Sequence, residues 1–119
     1  MAKTISSYIK DSSIYLIRGD SMDISINLTI NSEVYAPHET EIIRSQCRKT
    51  KDKSQVIWDK VIDNNELVLH IRPEDTEFLD PNEQYVYDIQ LETATGDVYT
   101  IVPKSPLILF DDVTTRRVY

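Results

Sequence analysis

The sequence is poor in glycine and cysteine and has no long hydrophobic run. Among its 119 residues are only two glycines, Gly19 and Gly96, too few for a glycine-rich loop that cradles a phosphate group. A single cysteine, Cys47, excludes an intrachain disulfide and suits a reducing cytosol. No apolar segment is long enough to span a bilayer, and the first residues, MAKTISSYIKDSS, lack the apolar core of a signal peptide. We therefore expect a soluble domain that is made in the cytosol.

Positive charge is also scarce. The chain has 13 lysines and arginines against 20 aspartates and glutamates, giving a formal net charge of -7 at pH 7. An acidic surface repels both nucleic-acid phosphates and anionic membrane surfaces. The sequence therefore predicts no nucleic-acid partner and no membrane partner. Its length suits one domain, and its hydrophobic fraction of 40% is enough to form a globular core.

Alternation of apolar and polar residues is the strongest pattern in the chain. Every second residue from Met22 to Ile30 is apolar, which predicts a strand with one buried face. Further strands are predicted at 13–17, 41–48, 55–62, 67–71, 85–91, 98–102 and 107–110. About seven or eight short strands separated by turn signals predict an all-β sandwich or barrel.

One short helical turn is predicted near residues 73–80, within RPEDTEFLDPNEQ. We expect Asp75 or Thr76 to cap this turn and Pro81 to end it. Tyr85 follows the turn by a few residues, which is the spacing of a tyrosine corner in two-sheet sandwiches. Trp58 is predicted to face the core of such a fold.

The tripeptide Arg18-Gly19-Asp20 matches the motif that adhesion ligands present to integrins. It falls between the predicted strands at 13–17 and 22–30, where a Gly-Asp-Ser cluster suits a tight turn. A match this short is weak evidence for receptor binding. The sequence therefore predicts a structural turn.

No pattern of catalytic or metal-binding residues emerges. His38 and His70 lack metal-ligand partners at the usual spacings, and the acidic run from Glu74 to Asp80 lacks the spacing of a calcium loop. Basic neighbours would activate Cys47 as a nucleophile, but its place in the alternation predicts a core position. We expect no catalytic residue, no metal and no cofactor. An esterase-like or thiol enzyme that uses Cys47 is the enzymatic alternative.

Several segments together resemble a family of small immunoglobulin-like structural domains of tailed bacteriophages, which includes the N-terminal domain of the baseplate upper protein. They are IRGDSMDISINL, ELVLHIRPEDTEFLDP and YVYDIQLETATGDVYTI, of which EDTEFLDP and YVYDIQL are the most specific parts. The resemblance covers about residues 14–109 and implies an immunoglobulin-like antiparallel β-sandwich. One departure is Asn82, where the family often has glycine after the proline of the late turn; asparagine tolerates the same left-handed backbone.

The resemblance implies a non-enzymatic structural protein of the virion, synthesised in the cytoplasm of the bacterial host. Its expected partners are other phage structural proteins, either capsid or tail subunits, and self-association is left open. Family members usually continue into a longer shaft or receptor-binding part, whereas this sequence ends at Tyr119. We therefore expect capsid decoration or an accessory role. One alternative is an adaptor or fibre-attachment component of the tail or baseplate. Another is a carbohydrate- or host-surface-binding module, with Tyr35, Trp58 and Tyr99 as stacking residues.

The expected domain boundaries are an N-terminal arm at 1–12, the sandwich at 13–110 and a C-terminal arm at 111–119. Neither arm has an alternating pattern, and terminal segments of this kind usually order only when a partner holds them. We expect both arms to dock on neighbouring subunits. The candidate docking residues are Tyr8, Ile9, Arg116, Arg117, Val118 and Tyr119.

Overall fold

The computed structural model describes residues 8–10, 12–30 and 33–111, and this part of the chain is mostly β-structure. In chain order, its elements are β1 (Tyr8–Lys10), β2 (Ser13–Ile17), β3 (Met22–Ser25), β4 (Thr29–Ile30), β5 (Glu33–Val34), β6 (Ile42–Lys49), β7 (Val56–Ile62), β8 (Val68–Ile71), α1 (Pro73–Thr76), β9 (Tyr85–Glu92) and β10 (Val98–Phe110). The prediction of an all-β chain with one short helical turn is confirmed. The described strands exceed the predicted seven or eight because the strand predicted at 22–30 divides into β3 and β4, and because β1 and β5 are too short to show an alternating pattern.

Six strands form one mixed sheet in the order β1-β2-β10-β9-β6-β7. β10 pairs in parallel with β2, whereas the other neighbours in this sheet are antiparallel. β3 pairs with β8, and β4 with β5, in two separate two-stranded sheets. The prediction of a purely antiparallel arrangement is therefore wrong. Alternation determines which face of a strand is buried, but it carries no information about the direction of the neighbouring strand.

The buried side chains form one hydrophobic cluster that draws on the large sheet, on the β3–β8 pair and on the segment after β3. Burial alternates along β9 as the sequence predicts, with every second residue inside. The core residues are Ile14, Leu16, Ile26, Leu28, Ile43, Cys47, Trp58, Ile62, Leu69, Ile71, Tyr85, Tyr87, Ile89, Leu91, Leu107 and Leu109.

The long strand predicted at 22–30 is interrupted. β3 pairs with β8 only as far as Ser25, because Leu67, just before β8, turns away with a φ of 55°. The Ile26 N–H still reaches the Leu67 carbonyl at 2.8 Å, but the ladder does not continue. Ile26 and Leu28 nevertheless stay buried. The alternation thus predicted the buried face correctly and the length of the paired strand wrongly.

The strands predicted at 98–102 and 107–110 are one strand, β10, with two register shifts against β9. The second shift lies between Val102 and Ser105 and contains Pro103, which has no N–H to give to a ladder. The Ser105 hydroxyl donates to the Pro103 carbonyl at 2.7 Å. The irregularity therefore absorbs the proline without ending the strand.

α1 begins earlier than the predicted cap allows, since Pro73 is its first residue. Asp75 lies inside the helix and its carboxylate accepts the Arg72 N–H at 2.8 Å. The Thr76 hydroxyl is used elsewhere, as the acceptor of the Gly19 N–H. The N-cap residue is Arg72, so neither predicted residue occupies that position, but Asp75 contributes to capping through its side chain. The prediction is thus confirmed in part for Asp75 and is wrong for Thr76. Within the described ranges, no helix has the length and apolar character needed to cross a membrane.

Candidate functional site

The first described strand begins and the last described strand ends at the same end of the large sheet. β1 begins at Tyr8 beside β2 and runs antiparallel to it. β10 runs parallel to β2 and ends at Phe110, opposite Ile17. The chain therefore enters β1 and leaves β10 at the same end of the sheet, which we call the terminal end and which comprises Tyr8, Ile17, Arg18, Thr76, Phe78, Leu79 and Phe110.

The arginine of the Arg-Gly-Asp tripeptide is packed into the terminal end. The Arg18 N–H donates to the Phe110 carbonyl at 2.8 Å. Its guanidinium donates to the Leu79 carbonyl at 3.3 Å and forms an ion pair with Asp111 at 2.8 Å. Arg18 thus ties the end of β2 to the end of β10 and to the turn after α1.

The glycine of the tripeptide is equally constrained. Gly19 is buried, has a φ of 82°, and donates its N–H to the Thr76 hydroxyl at 3.0 Å. The Asp20 N–H closes the turn on the Ile17 carbonyl at 2.9 Å. The prediction of a structural turn at this tripeptide is confirmed, because its backbone and its arginine hold the fold together.

The terminal end also presents apolar surface. Phe78 follows α1 and is 85% exposed, and the Tyr15 and Phe110 rings stack with their centroids 6.3 Å apart. Of the candidate docking residues, Tyr8 and Ile9 lie in β1, the outer strand on this side of the sheet. The remaining candidates, Arg116, Arg117, Val118 and Tyr119, lie outside the described residues.

A cleft of about 350 Å³ lies at the opposite end of β9 and β10, which we call the hairpin end because these two strands are joined there by the turn at Gly96. Tyr99 stands opposite Leu91 in the ladder and is 60% exposed. Tyr35 and Tyr99 line the same cleft, together with the polar side chains of Asn27, Thr29 and Glu41. Two of the aromatic residues nominated from the sequence are thus brought together.

Glu41 is the most unusual group in this cleft, because it is only 8% exposed and forms no ion pair with any cation among the described residues. Its Oε1 accepts the Tyr35 hydroxyl and the His38 N–H, each at 2.6 Å. These bonds, that of Tyr35 foremost, hold the pKa of the carboxyl below its usual range, so it is ionised at neutral pH. Oε2 takes no hydrogen bond from the described part of the chain. One carboxylate oxygen of a cleft-lining residue is therefore without a donor among the described residues.

The loop before β6 is built to hold this carboxylate in place. The Glu41 N–H donates to the His38 carbonyl at 2.9 Å. The Asn64 side chain donates to the Glu41 and His38 carbonyls at 2.7 Å and 3.1 Å. The position of Glu41 is therefore fixed by backbone as well as side-chain bonds. Sequence reasoning missed Glu41, since nothing local distinguishes it from the other acidic residues.

Trp58, the third nominated aromatic, is buried, and its Nε1 donates to the Ser45 hydroxyl at 3.0 Å. The prediction that it faces the core is confirmed, and its nomination as a sugar-stacking residue is wrong.

The tyrosine corner is confirmed too. The Tyr85 hydroxyl accepts the Asp80 N–H at 3.1 Å and donates to the Asp80 carbonyl at 3.2 Å.

The residues considered for chemistry are not brought together. Cys47 is fully buried, and burial raises the pKa of its thiol, which removes the thiolate at neutral pH. Its predicted core position is confirmed. His70 lies near the surface between the carboxylates of Asp23 and Glu66, and these hydrogen bonds raise its pKa. The described residues hold no group of three or more histidine, cysteine, aspartate or glutamate side chains that suits a metal ion.

No family model matches the chain, and no curated protein or solved structure is significantly similar to it. The resemblance to phage structural domains therefore stays a prediction. Two surfaces of the described residues differ in character: the terminal end, where Arg18 packs beside the exposed Phe78, and the tyrosine-lined cleft at the hairpin end, which is largely apolar but contains the Glu41 carboxylate.

Proposed function

We propose that the chain is a non-enzymatic structural protein of a tailed-bacteriophage virion that docks onto other virion subunits through its terminal end. The observation that carries this proposal is that β1 begins and β10 ends at the same end of the sheet, on either side of β2. The exposed Phe78 belongs to the turn that is bonded to this end through Thr76 and Leu79. Segments that precede β1 and follow β10 start from one side of the domain. They can therefore reach a single neighbouring subunit together with the apolar surface there.

The fold that we propose for this role is an immunoglobulin-like sandwich. In such folds, strands C, F and G lie side by side in one sheet, and strands B and E are neighbours in the other. Here β6, β9 and β10 are neighbours in the large sheet, and β3 pairs with β8. The tyrosine corner at Tyr85 and the single core shared by both sheets support the same assignment. The absence of an inter-sheet disulfide is a departure from that pattern, since the chain has a single cysteine and this cysteine is buried and free.

The energetics of the terminal end suit docking. Burying an exposed phenylalanine such as Phe78 is worth about 1.5–3 kcal/mol. Among the described strands β1 is the outermost on its side of the sheet, and an outer strand can pair with a strand of a partner. The partner that we propose is a capsid subunit, with the domain acting as a decoration or accessory protein, and the host's cytoplasm is the place of synthesis.

The location is tested by quantitative mass spectrometry on purified particles of the phage that encodes the chain, separated into heads and tails. A high copy number in the head fraction is the expected result. A few copies in the tail fraction would instead favour an adaptor or fibre-attachment component of the tail or baseplate. Absence from both fractions would overturn the structural role and return the enzymatic alternative to consideration.

The docking surface is tested by deleting residues 113–119 and, separately, by Phe78→Ala. Both changes are expected to keep the circular-dichroism spectrum and the melting temperature of the domain while lowering its occupancy on particles. Tyr99→Ala is the matched control, because it removes an exposed aromatic ring at the hairpin end. Full occupancy of either variant would contradict docking through the terminal end.

A further inference from the structure

We propose that the cleft at the hairpin end binds a neutral saccharide, with one pyranose ring against Tyr99 and its hydroxyl groups bonded to Glu41. This site is distinct from the docking surface, since the two lie at opposite ends of β9 and β10. The inference therefore stands apart from the proposed role in the virion.

The carboxylate of Glu41 indicates the hydrogen-bonding chemistry of the ligand. It is more than nine-tenths buried, is ionised, and lines the cleft, and its second carboxylate oxygen takes no hydrogen bond from the described residues. An ionised carboxylate only accepts hydrogen bonds, so its natural partners are hydroxyl or amide donors on the ligand. Such charge-assisted bonds are among the stronger polar contacts. A saccharide supplies several hydroxyl donors at fixed spacing.

The two tyrosines indicate the shape and polarity of the ligand. Tyr99 presents much of its ring to solvent, and an aromatic ring combines an apolar face with a polar hydroxyl. A pyranose ring has the matching character, with an apolar C–H face and a polar rim. Tyr35 has its hydroxyl committed to Glu41, so it positions the carboxylate and closes one side of the cleft.

The remaining lining fits the same class of ligand. Asn27 and Thr29 contribute amide and hydroxyl groups that both donate and accept hydrogen bonds, and Leu91 contributes an apolar wall. The volume, about 350 Å³, is at the small end of the range for ligand pockets and suits one sugar ring better than an extended chain. The ionised Glu41 and the net charge of -7 disfavour acidic sugars.

The competing ligand is a small organic cation, because a carboxylate beside aromatic rings also suits an ammonium group. The hydroxyl and amide groups around the cleft favour the saccharide, since a quaternary cation makes no use of them. Tetramethylammonium is therefore included in the test as a probe of this alternative.

The test is ligand-observed saturation-transfer NMR on the full chain with millimolar methyl glucoside, methyl galactoside, N-acetylglucosamine and tetramethylammonium. At least one sugar is expected to bind, and in protein-observed NMR spectra of the full chain the same sugar is expected to shift the amide signals of cleft residues. Tyr99→Ala is expected to weaken this binding about tenfold, as for the loss of one aromatic contact. Phe78→Ala is the matched control, an exposed aromatic residue at the terminal end, and is expected to bind unchanged.

Glu41→Gln separates the carboxylate from the aromatic contribution. It keeps the shape of the side chain but weakens the accepted hydrogen bonds, so sugar affinity is expected to fall while the Tyr99 ring stays in place. If Glu41→Gln destabilises the fold, Tyr99→Ala still decides, because its exposed ring contributes little to the core. No binding by any of the sugars, binding that Tyr99→Ala leaves unchanged, or binding of tetramethylammonium alone would overturn the proposal.

Discussion

Each end of the large sheet has a glycine with positive φ, and the surroundings of the two glycines differ. At the terminal end, Gly19 is buried and its N–H is held by Thr76. At the hairpin end, Gly96 has a φ of 89°, and nothing lies within 4 Å of where a Cβ would stand. The same backbone conformation thus makes a packed junction at one end and an open turn at the other. A packed junction contributes to stability, whereas an open turn leaves neighbouring side chains accessible to a ligand.

The tyrosines follow the same division. Tyr85, at the start of β9, is buried and its hydroxyl closes the turn at Asp80. Tyr99, beside the other end of β9, is largely exposed. The comparison indicates that Tyr85 supports the fold at the terminal end of β9, while Tyr99 is available for binding at the hairpin end. Three substitutions test this division.

The largest effect is expected from Thr76→Val. The change keeps the shape of a buried side chain but removes the acceptor for the buried Gly19 N–H, which costs about 1–3 kcal/mol of unfolding free energy. The matched control at the hairpin end is Thr100→Val, on an exposed position of β10, with an expected change within about 0.5 kcal/mol. Urea denaturation of both variants measures the difference. Equal stabilities would remove the distinction between the two ends.

A smaller effect is expected from Tyr85→Phe. This change deletes the hydroxyl that accepts from and donates to Asp80, and one typical hydrogen bond contributes about 0.5–1.5 kcal/mol. Tyr99→Phe should leave the melting temperature unchanged, because that hydroxyl is exposed. Differential scanning calorimetry on the two variants measures both melting temperatures. A larger loss for Tyr99→Phe would mean that the hairpin end carries structural tyrosines as well.

The smallest effect concerns acid stability. The lowered pKa of Glu41 means that its contribution to folding is present above the ordinary value of 4.5 and is lost as the pH falls through the folded pKa. Tyr35→Phe removes the largest cause of this shift, so the variant should lose less stability between neutral and acidic pH than the unmodified chain. Urea unfolding across that range tests this, with Tyr99→Phe as control. Parallel pH profiles would show that Tyr35 does not hold the carboxylate.

The sequence predicts those parts of the fold that depend on local patterns. The buried faces of β2, β6 and β9 follow from alternation, and the tyrosine corner follows from the short spacing between the turn and Tyr85. The parallel pairing of β2 with β10 and the end of β3 at Ser25 could not be predicted, because both depend on partners far away in the chain. A run such as 22–30 reports burial, but it does not report where a neighbour turns away.

The candidate site was predictable only in fragments. The sequence does not distinguish the three nominated aromatic residues, Tyr35, Trp58 and Tyr99. Whether each one is buried or lines the cleft depends on contacts with distant residues. Trp58 is buried and bonds to Ser45 across the β6–β7 pair, whereas Tyr99 lines the cleft. Glu41 becomes distinctive only once Tyr35 and the His38 backbone surround it. Residues that come together only in the folded chain have no characteristic spacing in the sequence, so a single sequence does not reveal such a cluster.

The parallel pairing of β2 with β10 has a mechanical consequence. Tension applied between the two ends of the chain would first peel β1 from β2, since an antiparallel hairpin opens one pair at a time. The same tension then pulls the start of β2 and the end of β10 in opposite directions, so all the rungs from Leu107–Ile14 to Phe110–Ile17 are loaded together in shear. Forced unfolding depends on the rate of crossing such a barrier. The domain is therefore expected to lose β1 at low force and to resist further unfolding until the β2–β10 pair breaks at a higher force.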